Sequence, residues 1–125
     1  MRALMLLLLL AGCPKNSEAP TMGAPDCAPL TLVVGMKTTV TCTFTFSDAQ
    51  ADIVDVDVEF NNPNGGALTT QTIGFQHPGE AMGTAMVSFP LTCPAAGNGV
   101  AQLELVDSPG HASEQQRVDF FCGMP

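Results

Sequence analysis

The chain has 125 residues, 46% of them hydrophobic, and sets four basic residues against twelve acidic ones for a formal net charge of −8. That length holds one domain rather than two, and so acidic a surface repels phosphate backbones and anionic head groups, which argues against nucleic acid as a partner. Trp and Tyr are absent, so the flat exposed rings on which sugars stack are missing, as are two of the side chains that favour interface hot spots.

The sequence opens with Met1 and Arg2 and continues as the apolar run 3–10. One positive charge ahead of a short apolar stretch is the order of a secretory signal. The run is about half of the ~20 apolar residues a spanning helix needs. Leu10-Ala11-Gly12-Cys13 follows, and it resembles the lipobox of bacterial lipoprotein precursors. The resemblance implies that residues 1–12 are a signal peptide cut off before Cys13, and that the Cys13 thiol receives a diacylglycerol. The protein would then be exported and held on a membrane through lipid, which two or more acyl chains do firmly and one does only marginally. Pro14 stands where lipoproteins retained in the inner membrane of many Gram-negative bacteria carry Asp, so the resemblance points to the outer membrane.

Without residues 1–12 the chain keeps Lys15, Lys37 and Arg117 against all twelve acids, a formal charge of −9. A solvated acidic face that keeps an exported protein soluble accounts for it. Cys13 and residues 14–26, with three prolines and no apolar periodicity, read as a lipidated cysteine and flexible linker. Thirteen such residues span on the order of 20 Å as a random coil. Residues 27–125 are expected to form the domain. With Cys13 assigned to lipid, four cysteines remain: Cys27, Cys42, Cys93 and Cys122. An even set in an exported domain reads as two disulfides. Three pairings are possible and the sequence does not choose among them, although Cys27–Cys42 with Cys93–Cys122 closes the shortest loops.

From residue 27 onward hydrophobicity alternates with period two. Strands are expected at 30–34, 38–46, 53–60, 67–75, 82–91, 100–106 and 114–122. In the second, Val40, Cys42, Phe44 and Phe46 share one face, and Thr39, Thr41, Thr43 and Thr45 the other. In the third, Val54, Val56, Val58 and Phe60 are expected inward, with Asp55, Asp57 and Glu59 outward. Strict alternation belongs to half-buried antiparallel strands. Asn64-Gly65-Gly66 supplies the positive φ angles of a tight turn. Further breaks fall at His77-Pro78-Gly79, at 95–99 and at Ser108-Pro109-Gly110. Seven short strands without a helical window argue for an all-β, antiparallel sandwich of two sheets. Leu30-x-Leu32-x-Val34-Gly35 with Val40-x-Cys42 is similar to the first two strands of immunoglobulin domains. Leu103-x-Leu105-Val106-Asp107-x-x-Gly110 is similar to late strands of bacterial immunoglobulin-like modules. The resemblance implies a seven-stranded immunoglobulin-like sandwich, although the Trp behind the first sheet cysteine and the Tyr before the last are both missing. A fibronectin-like sandwich fits nearly as well.

Asp107, Ser108 and His111 contain the residue types of a catalytic triad, but a triad draws its members from separate elements beside an oxyanion site. Asp-Ser-Pro-Gly-His is the composition of a turn, and no catalysis is expected. Asp55, Asp57 and Glu59 stand alternately along one strand, ~6.5–7 Å apart, too far for the three to chelate one ion. Asp48 and Asp52 with Asp55 are the calcium candidates, since calcium takes six to eight oxygens. A charged face that discourages edge-to-edge pairing explains the same residues, and no metal or cofactor is expected. Phe44, Phe46, Phe60, Phe89 and Phe120 fall on expected core faces, and the facing of Phe75 and Phe121 stays open. The reading is a lipid-anchored envelope module that binds another protein through a strand edge or its end loops. The alternative is a structural envelope component without a specific ligand.

Overall fold

The computed structural model describes residues 18–62 and 68–125. Cys13, the lipobox, the signal peptide, the start of the linker and the Asn64-Gly65-Gly66 turn lie outside them. The described residues form nine strands and no helix: β1 (Thr21–Met22), β2 (Asp26–Ala28), β3 (Thr31–Val33), β4 (Thr38–Ser47), β5 (Ile53–Asn61), β6 (Leu68–Gly74), β7 (Met82–Leu91), β8 (Gly97–Asp107) and β9 (Gln116–Gly123).

Five strands make one sheet in the order β3-β9-β8-β5-β6, antiparallel except where β3 lies parallel to β9. In the other sheet β4 is central, with β7 along one side and β1 and β2 in succession along the other, all antiparallel. The N-terminal stretch therefore serves both sheets. It runs beside β4 as far as Ala28, then crosses and pairs with β9 from Thr31. Each sheet turns its apolar side to a shared core of Val40, Cys42, Phe44 and Phe46 from β4, Val56, Val58 and Phe60 from β5, Ala85, Val87 and Phe89 from β7, and Leu103, Leu105, Val118 and Phe120 from β8 and β9. Burying a Val, Leu or Phe side chain is worth ~1.5–3 kcal/mol, so this alternation is what drives the two sheets together. The five phenylalanines expected in the core are there. Phe75 joins them, edge-on to Phe46 at 4.9 Å, while Phe121 is 52% exposed.

Three expectations need correction. The linker does not extend to residue 26. Thr21 pairs with Ser47 and Met22 with Phe46, and Met22 is buried, because one apolar side chain and a free edge of β4 are enough to dock the chain. Val54 does not face inward. The β5–β8 register shifts between Ile53 and Asp55, and this bulge places Ile53 in the core and leaves Val54 43% exposed. One extra residue flips the alternation of everything before it. The segment 97–99 is not a break either. It begins β8, with Gly97, Asn98 and Gly99 opposite Cys122, Phe121 and Phe120.

Cys27 is bonded to Cys42 and Cys93 to Cys122. The first pair joins directly opposed residues of β2 and β4 within one sheet. The second ties the end of β7 to β9 and so links the two sheets.

Candidate functional site

The most polar interior lies at one end of the sandwich, where the β4–β5 loop, the β6–β7 connection and the β8–β9 turn meet. Asp48 and Asp107 are buried there, 3% and 2% exposed. The Asp48 N–H donates to Ala81 O at 2.7 Å, which ties the loop to the residue before β7. Asp48 O accepts from Ala51 N at 2.9 Å, and Asp48 Oδ2 from Asp52 N at 3.0 Å. The loop is thus closed by one aspartate through both its backbone and its side chain, as Asp commonly does in turns. Ala51 takes a positive φ of 55° within it. The loop is joined to the opposite sheet by Ser108 N, which donates to Asp52 O at 2.8 Å.

Asp107 organises the neighbouring turn. Its Oδ1 accepts from Gly110 N at 2.9 Å and from His111 N at 2.6 Å, and its Oδ2 lies 3.3 Å from His111 Nδ1. Asp107, Ser108 and His111 are therefore adjacent but form no triad. The carboxylate is spent on turn amides, and Ser108 enters the network through its backbone. Asp52 completes the group. Hydrogen bonding to the Asp48 carboxyl, burial, and the charges of Asp48 and Asp107 raise its carboxyl from 3.8 to about 6. Among the described residues neither Asp48 Oδ1 nor Asp52 Oδ1, both buried, has a hydrogen-bond donor.

Of the calcium candidates, Asp48 and Asp52 are brought together and Asp55 is not. Asp55 lies beyond the bulge, on the outward face of β5 with Asp57 and Glu59. Asp107, which sequence reasoning placed only in a turn, takes its place beside them. The i, i+4 spacing of Asp48 and Asp52 across a loop was the only local signal; the approach of Asp107 is long-range. Among the described residues no three His, Cys, Asp or Glu side chains are grouped to hold a metal ion.

The two outer faces differ in chemistry. The five-stranded sheet carries Asp55, Asp57, Glu59, Glu104 and Asp119 outward against Arg117, which is paired to Asp119 at 3.0 Å. Asp57 stands directly opposite Glu104 and accepts a hydrogen bond from Thr72 Oγ1 at 2.9 Å. Among the described residues of the four-stranded sheet the only charged one is Asp26. Its outer face is built of Thr39, Thr41, Thr43 and Thr45 on β4 beside Thr84, Met86 and Ser88 on β7, with Met82 and Met86 71% and 47% exposed. Thr41 and Ser88 hydrogen-bond across the strands at 2.9 Å.

Strand β7 forms the border of this sheet. Met86 N is turned away from β4 and donates to Gln76 Oε1 at 3.0 Å, and Pro90 O accepts from Gln71 Nε2 at 2.7 Å. Backbone direction alternates along a strand, so the N–H and C=O groups of Thr84 and Ser88 point the same way, off the sheet. Pro90, which has no N–H, fits such a border position.

No protein-family model and no curated protein sequence matches the chain. Solved structures do match. The PKD domain of a peptidase from Thermoplasmatales archaeon SCGC AB-540-F20 is 19% identical with a TM-score of 0.53, over 81% of this chain and 94% of that one. A variant superoxide reductase (neelaredoxin) from Ignicoccus hospitalis is 16% identical with a TM-score of 0.56, over 82% of each chain. The alkylpurine DNA glycosylase AlkC of Pseudomonas fluorescens is 13% identical with a TM-score of 0.53, over 85% of this chain but 31% of its own length. The chain is thus similar in fold to PKD-like β-domains. At these identities the likeness concerns fold alone, since one fold hosts many functions. The two disulfides are of the kind kept in oxidising, exported surroundings. Among the described residues no helix is long and apolar enough to cross a membrane.

Proposed function

We propose that this protein is an exported lipoprotein, anchored to the cell envelope through lipid on Cys13, whose immunoglobulin-like domain binds another protein without catalysis. The observation that carries the binding role is the uncharged border of the four-stranded sheet. On a molecule with a formal charge of −8, β7 offers a strand edge and exposed Met82 and Met86 with no carboxylate of its own. Extended peptides add to such edges through backbone hydrogen bonds, and alternate side chains set specificity. Methionine is adaptable at binding surfaces. Five of the twelve acids gather on the outer face of the opposite sheet, which favours a binding module over a purely structural component. The lipobox and the two disulfides support export, and Pro14 supports the outer membrane.

The border groups of Thr84 and Ser88 make the reading testable in intact cells. A photo-crosslinking residue at Ser88 should yield one discrete adduct, lost when Met86 is changed to Glu. The same residue at Asp119, on the acidic sheet, should yield none. Equal labelling from both positions, or none from Ser88, would overturn the role of this border.

A further inference from the structure

We infer that Asp48 and Asp52 form a built-in proton site, one hydrogen ion shared between the two carboxyl groups, which locks the β4–β5 loop against the β8–β9 turn. Asp48 is 3% exposed and its Oδ1 has no donor among the described residues; Asp52 Oδ1 is buried and equally without one. The Asp48 carboxylate reaches back to Asp52, accepting from its backbone N–H at 3.0 Å, and hydrogen bonding to the Asp48 side chain is the first cause of the raised Asp52 carboxyl. Two acceptors can meet only if one of them carries a proton, and a buried acceptor left unsatisfied is costly. Asp48 Oδ2 already accepts from Asp52 N, and Asp48 Oδ1 and Asp52 Oδ1 are the buried acceptors left without a donor. Like charges at one site cannot both be ionised cheaply, and one of the pair holds its proton to a higher pH.

The charged groups around the pair act in the same direction. Asp107, from the β8–β9 turn, adds negative field at Asp52. His111 sits on the far side of Asp107, 3.3 Å from its Oδ2 and partly exposed. On the β6–β7 side Glu80, which precedes Ala81, is exposed and paired with His77 at 3.2 Å. Asp55 on β5 faces outward past the bulge. Among the described residues of this end there is no Lys or Arg to compensate a doubly ionised pair.

Two backbone bonds make the proton structural. Asp48 N to Ala81 O and Asp52 O from Ser108 N fasten the loop to two other segments, and both start at the residues that share the proton. When it is present, the carboxyl pair holds the loop closed. When it leaves, two carboxylates and Asp107 face one another in a poorly solvated end, and the bond from Ser108 is the first to yield. The sign follows. A carboxyl raised from 3.8 to about 6 binds more protons in the folded than in the unfolded chain between those values. Its contribution is full below 3.8 and is lost as the pH rises through about 6.

The test is a carboxyl-carbon NMR titration of the full chain in detergent micelles. Asp52 should titrate near pH 6, and Asp48→Asn should lower that midpoint by at least ~1 pH unit, because a like charge is removed and an amide donor supplied. Hydrogen exchange of the Ser108 amide, corrected for its intrinsic pH dependence, should accelerate on the order of tenfold between pH 5 and 7.5. It should not do so in Asp52→Asn. An Asp52 midpoint in the ordinary carboxylate range in the unmutated protein overturns the proposal, whether or not the variants fold. A high midpoint that survives Asp48→Asn overturns the sharing.

Discussion

Gly99 stands where the Phe60 ring needs room. A Cβ built there would lie 2.7 Å from Phe60 Cζ, 3.0 Å from Cε1 and 3.4 Å from the carbonyl oxygen of Asn61. Phe60 is 1% exposed and meets Phe120 edge-on, with ring centroids 6.1 Å apart, and Phe120 is the cross-strand partner of Gly99. The ring therefore has no free direction in which to retreat. Glycine in a strand commonly marks such a close approach. Gly99→Ala should destabilise the fold by ~1–3 kcal/mol, the usual cost of forcing an extra carbon into a packed core. Gly97→Ala makes a poor control, because that glycine has a φ of 134°. Thr43→Ala, on the exposed face of β4, is suitable and should cost little. Urea unfolding of the two variants checks the contrast; equal midpoints would mean that Phe60 can shift at no cost. The same glycines are why the sequence pattern reads as a break at 95–99. Two glycines in five residues are the composition of a loop, whereas in the fold Gly97 and Gly99 pair with Cys122 and Phe120 and Gly99 leaves room for the Phe60 ring.

Among the elements, the disulfides are the clearest case of local sequence acting at long range. Cys27–Cys42 closes a separation of 15 residues and Cys93–Cys122 one of 29. In the loop-entropy account the shorter crosslink is worth ~3 kcal/mol. Doubling the loop adds ~0.6 kcal/mol. The longer bond also joins β7 to β9 across the sheets, whereas the shorter joins neighbours already paired through backbone hydrogen bonds. Replacing Cys93 and Cys122 together by Ala should therefore lower the melting temperature by more than replacing Cys27 and Cys42 together. Calorimetry of the two double variants decides it, and the reverse order would show that residual structure in the unfolded chain dominates. The bulge at the start of β5 is the complementary case. Ile53 and Val54 are adjacent, β-branched and equally apolar, so nothing in their chemistry decides which one enters the core. The β5–β8 register decides it.

For the molecule as a whole, the placement of charge matters more than its total. Asp55, Asp57, Glu59, Glu104 and Asp119 face outward from one sheet, and the outer face of the other presents threonine, serine and methionine. Such asymmetry orients an approaching partner, since charge governs encounter and rejects wrong faces. Asp48, Asp52 and Asp107 are held apart from both faces, inside one end. If Cys13 accepts the lipid, Cys13→Ala should leave an uncut precursor that incorporates no labelled fatty acid, while the two disulfides still form. Fatty-acid labelling followed by gel mobility measures both. Normal labelling of the variant would remove the anchor from the reading.

What the sequence alone determined is what repeats every two residues. The alternation of Val40, Cys42, Phe44 and Phe46 with threonines can be satisfied only by a strand buried on one side, and the same holds for Val56, Val58 and Phe60 among acids. The all-β class, the core phenylalanines of those strands and the even set of four cysteines follow from composition and period, which are local. The tertiary structure decided what depends on which segment lies beside which. It chose one of three cysteine pairings, drew Thr21–Met22 out of the linker and onto β4, and turned Val54 out by a bulge. It also separated Asp55 from Asp48 and Asp52 and brought Asp107 to them from more than fifty positions away along the chain. The physical reason is the same in each instance: hydrophobic period specifies which face of a strand is buried, whereas register, edge pairing and loop packing are settled by contacts between residues distant in sequence, whose energies no local pattern contains.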